Sequence, residues 1–247
     1  MNNTIMMLDV AEDVTAQLPA IKRGGYQIVG GYMSSISPNG GKCITPTRAR
    51  AIAGASLQML LVHEGCGGVG GRGISAADGK RDGEFCRDRA LYLGAGKPPY
   101  RVGVYGSGAV CAAVIGHGLA DLSWEAQSHG WAGYAAWRAR ADIAQGPEGR
   151  IAGVDADSDQ AGADVGAFTP FGAAPAKPPC IYFACDQDFT LAQIAGLVLP
   201  YFRAIRTAFG PLVIPPAITV ATANPAPAAA PSGWLGGFMK KLRGIGS

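Results

Sequence analysis

Histidine is scarce in these 247 residues, at three positions (His63, His117, His129), and none of the six cysteines belongs to a C-x-x-C pair. That leaves too few ligands in close spacing for a zinc site, and no metal or other cofactor is expected. The cysteines read instead as buried free thiols that pack like small apolar residues. "HEGC" (His63 to Cys66) falls short of H-E-x-x-H, and Tyr105 stands where the first glycine of a G-x-S-x-G elbow belongs. Zinc-peptidase and serine-hydrolase chemistry are set aside accordingly. "GVGGRG" (Gly68 to Gly73) follows a strand, but the next helix is expected only near Asp82, too late for a phosphate to sit on its N-terminus.

Charge is low too, at 16% of residues, and acids are missing altogether from Pro211 onward. Of 21 basic residues, Lys240, Lys241 and Arg243 lie in that stretch, so residues 1–210 balance 18 bases against 18 acids. Such a body carries no nucleic-acid footprint. No apolar run approaches the roughly 18 residues of a membrane span. The start, "MNNTIMMLDV", has neither a basic n-region nor a long apolar h-region, so cytoplasmic synthesis without a signal peptide is expected.

What is present is a recurrent alternation. Apolar or β-branched runs at 5–9, 26–32, 57–64, 101–105, 122–127, 141–145, 151–155 and 181–186 read as strands. Helical composition fills 14–23, 46–54, 82–93 and 191–209. Eight strands with helical crossovers in about 210 residues predict an α/β fold, a (β/α)8 TIM-like barrel. Asp9, Glu64, Tyr105, Glu125, Gln127, Gln145, Asp155 and Asp186 fall at or just past the C-terminal ends of these runs. In a parallel barrel those ends converge on one face, the mouth, where such folds place their chemistry.

Beyond residues 1–210, residues 211–233 form a Pro/Ala-rich linker and residues 234–247 a basic tail. Wound as a helix, the tail gathers Trp234 and Phe238 on one face, with Lys240, Lys241 and Arg243 supplying the charge. This is the pattern of a segment lying on a membrane surface. Docking on a partner protein is the alternative.

Crowded carboxylates suit glycosidic bond cleavage, which needs one protonated carboxyl as acid and one ionised partner. Neighbouring negative charges raise one pKa and so supply the pair. Trp124, Trp131 and Tyr105 offer flat faces on which sugars stack.

The stretches "MLDV", "GYQIVGGYM", "KCIT", "LLVHE", "YRVGVYGSGAVC", "LSWEAQSHGW", "VDADSD" and "IYFACDQD" resemble a glycoside-hydrolase-like barrel family of bacteria and phages, related to the family 25 lysozymes. The likeness spans most of residues 5–210 and implies a lysozyme-like barrel that acts on or binds peptidoglycan. Two departures stand out. Gly31 replaces an arginine that the family carries before the tyrosine of its second strand. The "IYFA-x-D-x-D" strand, fourth in the family, comes last here, and Lys-Pro-Pro precedes both the gap (Lys97–Pro99) and the displaced segment (Lys177–Pro179). Moving residues 180–210 between Pro99 and Tyr100 restores the family order.

The expectation is a peptidoglycan hydrolase, in the setting of a phage endolysin acting at the cell envelope. Asp186 or Asp188 is the expected general acid, and Asp9 or Glu64 its charged partner. Glu125, Gln127 and Asp155 are expected to orient sugar and water, with Tyr105 and Trp124 as walls. A non-catalytic wall-binding or virion barrel is the alternative, betrayed by carboxylates neutralised by arginines.

Overall fold

The computed structural model describes residues 4–38, 40–66 and 74–210. The glycine-rich loop Gly68–Gly73, the linker and the tail residues Trp234, Phe238, Lys240, Lys241 and Arg243 lie outside them.

Nine strands in the described residues form one sheet: β1 (Ile5–Asp9), β2 (Ile28–Met33), β3 (Gln58–Cys66), β4 (Arg101–Gly106), β5 (Leu122–Glu125), β6 (Ile143–Ala144), β7 (Glu148–Ile151), β8 (Val154–Ala161) and β9 (Cys180–Cys185). The ladder runs β1-β2-β3-β9-β4-β5-β6-β8 and returns from β8 to β1, closing an eight-stranded barrel, with β7 outside as the hairpin partner of β8. The chain is thus an α/β TIM-like barrel with permuted strand order. Strand β9 pairs in parallel with both β3 and β4, so the displaced segment occupies the fourth slot.

The eighth staff differs from the expected parallel strand at 151–155. That stretch is a hairpin reversal: Ile151 pairs with Val154 across a two-residue turn. Ala152 and Gly153 both hold positive φ (51° and 90°), the geometry whose twist matches flanking strands. Strand β8 therefore leaves the turn antiparallel to β1 and β6. This reversal explains how β9 can follow without a helical crossover. β8 delivers the chain to the barrel's lower end, where the parallel β9 begins. Residues 162–179 cross that end: Phe168 exchanges both backbone hydrogen bonds with Met59 (2.8 and 2.9 Å), and Val165 O accepts from the Tyr182 hydroxyl at 3.1 Å.

Helices cover the outside. They are α1 (Leu18–Arg23), α2 (Pro46–Gly54), α3 (Ala76–Tyr92), α4 (Gly108–Gly116), α5 (Tyr134–Trp137), and α6 (Leu191–Gln193), continued by a π-helical turn (Ile194–Val198) into α7 (Leu199–Phe209). Side-chain caps start several: Thr45 accepts from Arg48 N, Ser75 from Asp78 N and Ser107 from Val110 N. Because β9 stands beside β3, α7 lies against α3. Tyr201, Phe202 and Ile205 are buried there, with the Tyr201 hydroxyl donating to Asp82 at 3.0 Å.

Two apolar cores result. Met7, Ile28, Leu60, Val62, Trp124 and Tyr182 fill the barrel interior. A larger shell between barrel and helices holds Leu8, Leu61, Val104, Phe183 and Phe202, among others. The alternation of strand side chains puts Cys180 in the first and Cys185 in the second. Cys43, Cys111 and Cys180 are buried free thiols, as expected.

Candidate functional site at the barrel mouth

The barrel interior is plugged at its middle by aromatic rings. Trp124 meets Tyr105 and Tyr182 edge-on, with centroids 5.1 and 5.8 Å apart. Gly103 makes room for this, since a β-carbon there would stand 2.4 Å from the Tyr182 ring. Above the plug, at the C-terminal ends of the parallel strands, lies a cleft of about 230 Å³. Its polar lining is Asp9, Tyr32, Lys42, Glu64, Tyr105, Gln145, Asp157 and Asp186.

Strand alternation explains which acids arrive. On β1, Met7 faces the interior, so Asp9, two residues on, faces it too. Asp9 stands directly opposite Asp157 in the antiparallel register with β8, and Met7 opposite Asp159. Asp9 is 5% exposed and Asp159 fully buried, and each keeps one oxygen without a hydrogen-bond partner (Asp9 Oδ1, Asp159 Oδ2). Room for Asp9 comes from Gly30 on β2, whose added β-carbon would stand 3.1 Å from Asp9 Oδ1.

Burial raises the Asp9 carboxyl to about 7, although the Tyr32 hydroxyl, donating to Oδ2 at 2.8 Å, favours the charged form. Asp159 is pushed well above the carboxylate range, by burial first and then by the charge of Asp9. Asp157 is raised more gently: burial lifts it, while Gln145 Nε2, donating at 2.7 Å, stabilises its charge. Asp186 is also raised, by burial and by Glu64, with Lys42 opposing. Lys42 pairs with Glu64 Oε2 at 2.5 Å and lies 4.2 Å above the Tyr32 ring. Gln145 is a hub, its Oε1 accepting from Tyr105 Oη (3.2 Å) and Gln127 N (2.7 Å).

The structure gathers Asp9, Glu64, Asp186, Tyr105 and Trp124 at this cleft and leaves the other expected residues outside it. Asp188, two residues beyond Asp186, is exposed and accepts from Ala132 N at 3.1 Å. Asp155 sits on the hairpin, exposed and paired with Arg150 at 3.2 Å. Gln127 contributes its backbone amide to Gln145 rather than a side chain to the cleft. Glu125 follows Trp124 and so points to the outer side of the wall. It is buried under the first turn of α4, with Oε1 2.8 Å from where a Gly108 β-carbon would stand. Neither of its oxygens has a partner, and burial raises it to about 7.

Gly31 also faces outward, since a β-carbon there would approach Met59 Sδ at 3.1 Å and Ile44 Cγ2 at 3.5 Å. The missing arginine thus concerns the packing of α2 on the barrel more than the cleft. Gln145, expected at a strand end, does line the cleft, whereas sequence reasoning missed Tyr32, Lys42, Asp157 and Asp159 as site residues. The signal for the last two was the strict alternation of "VDADSDQA". Among the described residues no three His, Cys, Asp or Glu side chains are placed to hold a metal ion.

No family model matches the chain, and neither does any curated protein. Among solved structures it is similar to the Tat-secreted protein Rv2525c of Mycobacterium tuberculosis in complex with HEPES, with TM-score 0.49 and 19% identity over 63% of this chain and 94% of that one. The same protein with L-tartrate gives 0.48 and 17%, over 65% and 96%. An uncharacterised protein of B. stearothermophilus gives 0.43 and 17%, over 62% and 94%. The barrel assignment itself rests on the closed ladder.

Chemically, the cleft pairs carboxyls in unlike settings. Asp9, deep and desolvated, holds a proton near neutrality, whereas Glu64 forms an ion pair with Lys42 closer to water. Among the described residues no arginine lines the cleft.

Proposed function

We propose that the protein is a glycoside hydrolase of lysozyme type, acting on the glycan of peptidoglycan at the barrel mouth. The observation that carries this reading is Asp9, a buried carboxyl raised to about 7 that shares one cleft with Asp186. Glycosidic cleavage asks for this division between a proton donor and an ionised partner. Asp9 takes the role of general acid, and Asp186 that of base or nucleophile, the reverse of the order expected from the motifs. Asp9 gives its proton to the leaving glycosidic oxygen. Tyr32 then stabilises the carboxylate that remains, through the hydrogen bond it already donates. Asp186 faces the developing positive charge on the sugar ring, and Tyr105 and Trp124 form the wall and floor. Lys42 keeps Glu64 occupied as an ion pair. The basic tail residues Lys240, Lys241 and Arg243 are assigned to a membrane surface, in keeping with a phage endolysin.

The test is release of reducing ends from purified, membrane-stripped cell walls. Asp9→Asn and Asp186→Asn should each lower the rate by about 10²–10⁴, with the circular dichroism spectrum unchanged. If the intact protein releases no reducing ends yet sediments with the walls, it is a binding module and the catalytic assignment falls.

A further inference from the structure

The cleft's charge is lopsided. Among the described residues its ionisable lining, tyrosines aside, is Asp9, Glu64, Asp157 and Asp186 against the single cation Lys42. Lys42 is committed to Glu64, so Asp157 and Asp186 face the opening without a cationic partner among the described residues. The deeper groups are unsatisfied as well. Asp9 Oδ1 has no hydrogen-bond partner, nor does the Trp124 Nε1 donor, although both side chains are buried and border the cleft. Buried polar atoms are seldom left so, and a ligand that both donates and accepts would satisfy them.

A ligand carrying carboxylates would bring more negative charge into a confined space of negative potential, whereas an ammonium group would be drawn in. An N-acetyl group in its place would carry no charge and add an apolar methyl beside carboxylates. We propose that the sugar unit held in this cleft bears a free amino group, so that the enzyme selects de-N-acetylated, glucosamine-containing stretches of the glycan. This rests on the carbohydrate reading above and narrows it. Asp157 and Asp186 receive the ammonium, while Asp9 Oδ1 and Trp124 Nε1 meet neighbouring hydroxyls. Specificity of this kind arises both from attraction for the amine and from rejection of acidic sugars.

The experiment is calorimetric titration of the intact chain with glucosamine hexamer and with N-acetylglucosamine hexamer, in dilute salt at a mildly acidic pH that keeps the amine charged. The amine-bearing hexamer should bind at least about tenfold more tightly, and raising the salt concentration should erode the difference. Asp157→Asn and Asp186→Asn, both close to isosteric and checked by circular dichroism, should each lower the amine-bearing hexamer's affinity more than the N-acetylated hexamer's and so shrink the preference. Equal or tighter binding of the N-acetylated hexamer overturns the inference but leaves the glycosidase reading standing. If neither hexamer binds, both fall.

Discussion

Asp9, the last residue of β1, stands directly opposite Asp157 of β8 across the antiparallel seam that closes the barrel. Opposed residues on such a ladder hold their β-carbons about 5 Å apart, where two like charges destabilise each other. The surroundings divide the burden. Asp157 is half-buried at the rim and receives a hydrogen bond from Gln145, whereas Asp9 lies deeper, with fully buried Asp159 beside it. Protons are therefore held most firmly in the interior.

Substituting Asp9→Asn should expose this arrangement as a pH-dependent stability difference. The folded carboxyl sits at about 7 against a reference of 3.8, so the folded state holds the proton more tightly. The stability this contributes is complete below the unfolded value and is lost as pH rises through about 7. The asparagine variant has no such loss. Relative to the native protein its unfolding free energy, read from urea titrations, should climb between pH 4 and pH 8 by an amount on the order of 2–4 kcal/mol. A difference that stays flat across this range would show that Asp9 titrates normally.

Tyr32→Phe should move the same transition upward. The Tyr32 hydroxyl donates to Asp9 Oδ2 and stabilises its charged form. Without the donor, the proton should be held to a pH about one unit higher. Carbon-13 NMR of labelled aspartate carboxyls reads this directly. A midpoint that stays put or falls would mean that the hydroxyl serves packing alone.

Gly79→Ala should destabilise the fold, although alanine is the better helix former by about 1 kcal/mol. Gly79 lies where α3 meets α7, and an added β-carbon would stand 2.2 Å from the Tyr201 carbonyl oxygen. The helices must part, at about 2–3 kcal/mol. Gly116 at the end of α4 is the control, since a β-carbon added there would have nothing within 4 Å. There the same change should be neutral or mildly stabilising. Urea midpoints of the two variants should move apart, and parallel shifts would discredit the α3–α7 contact.

Much of this was legible in the residues, for identifiable reasons. Strand β1 and helix α2 have the bounds expected from the apolar pattern and from helical composition. Helix α3 starts at Ala76, ahead of the expected Asp82, because its glycines and charges obscure the apolar face. The direction of β8 was hidden, since period-two alternation is the same read either way and Ala152–Gly153 is not among the strongest hairpin signals. That reversal moved the mouth acid from Asp155 to Asp157. The exclusion of Glu125 could have been foreseen, because neighbours on a strand face opposite sides and Trp124 already points inward.

The placement of β9 makes the last prediction. Arg101 N, at the start of β4, donates to Pro179 O at 2.8 Å, and the Arg101 guanidinium reaches Pro178 O and both oxygens of Asp164. The two Lys-Pro-Pro stretches therefore run side by side into neighbouring strands. At the other end of the displaced segment, the Phe209 ring lies 6.4 Å from that of Tyr100, edge to face. Both ends of residues 180–210 thus lie next to the gap between Pro99 and Tyr100. A chain with this segment moved into that gap, joined by short glycine bridges, should keep every strand pairing. Its melting temperature should stay within about 4 °C of the native value, since one extra kcal/mol shifts a domain of this size by only that much. A rearranged chain that aggregates or melts far lower would mean that strand order constrains this barrel beyond the contacts its strands make.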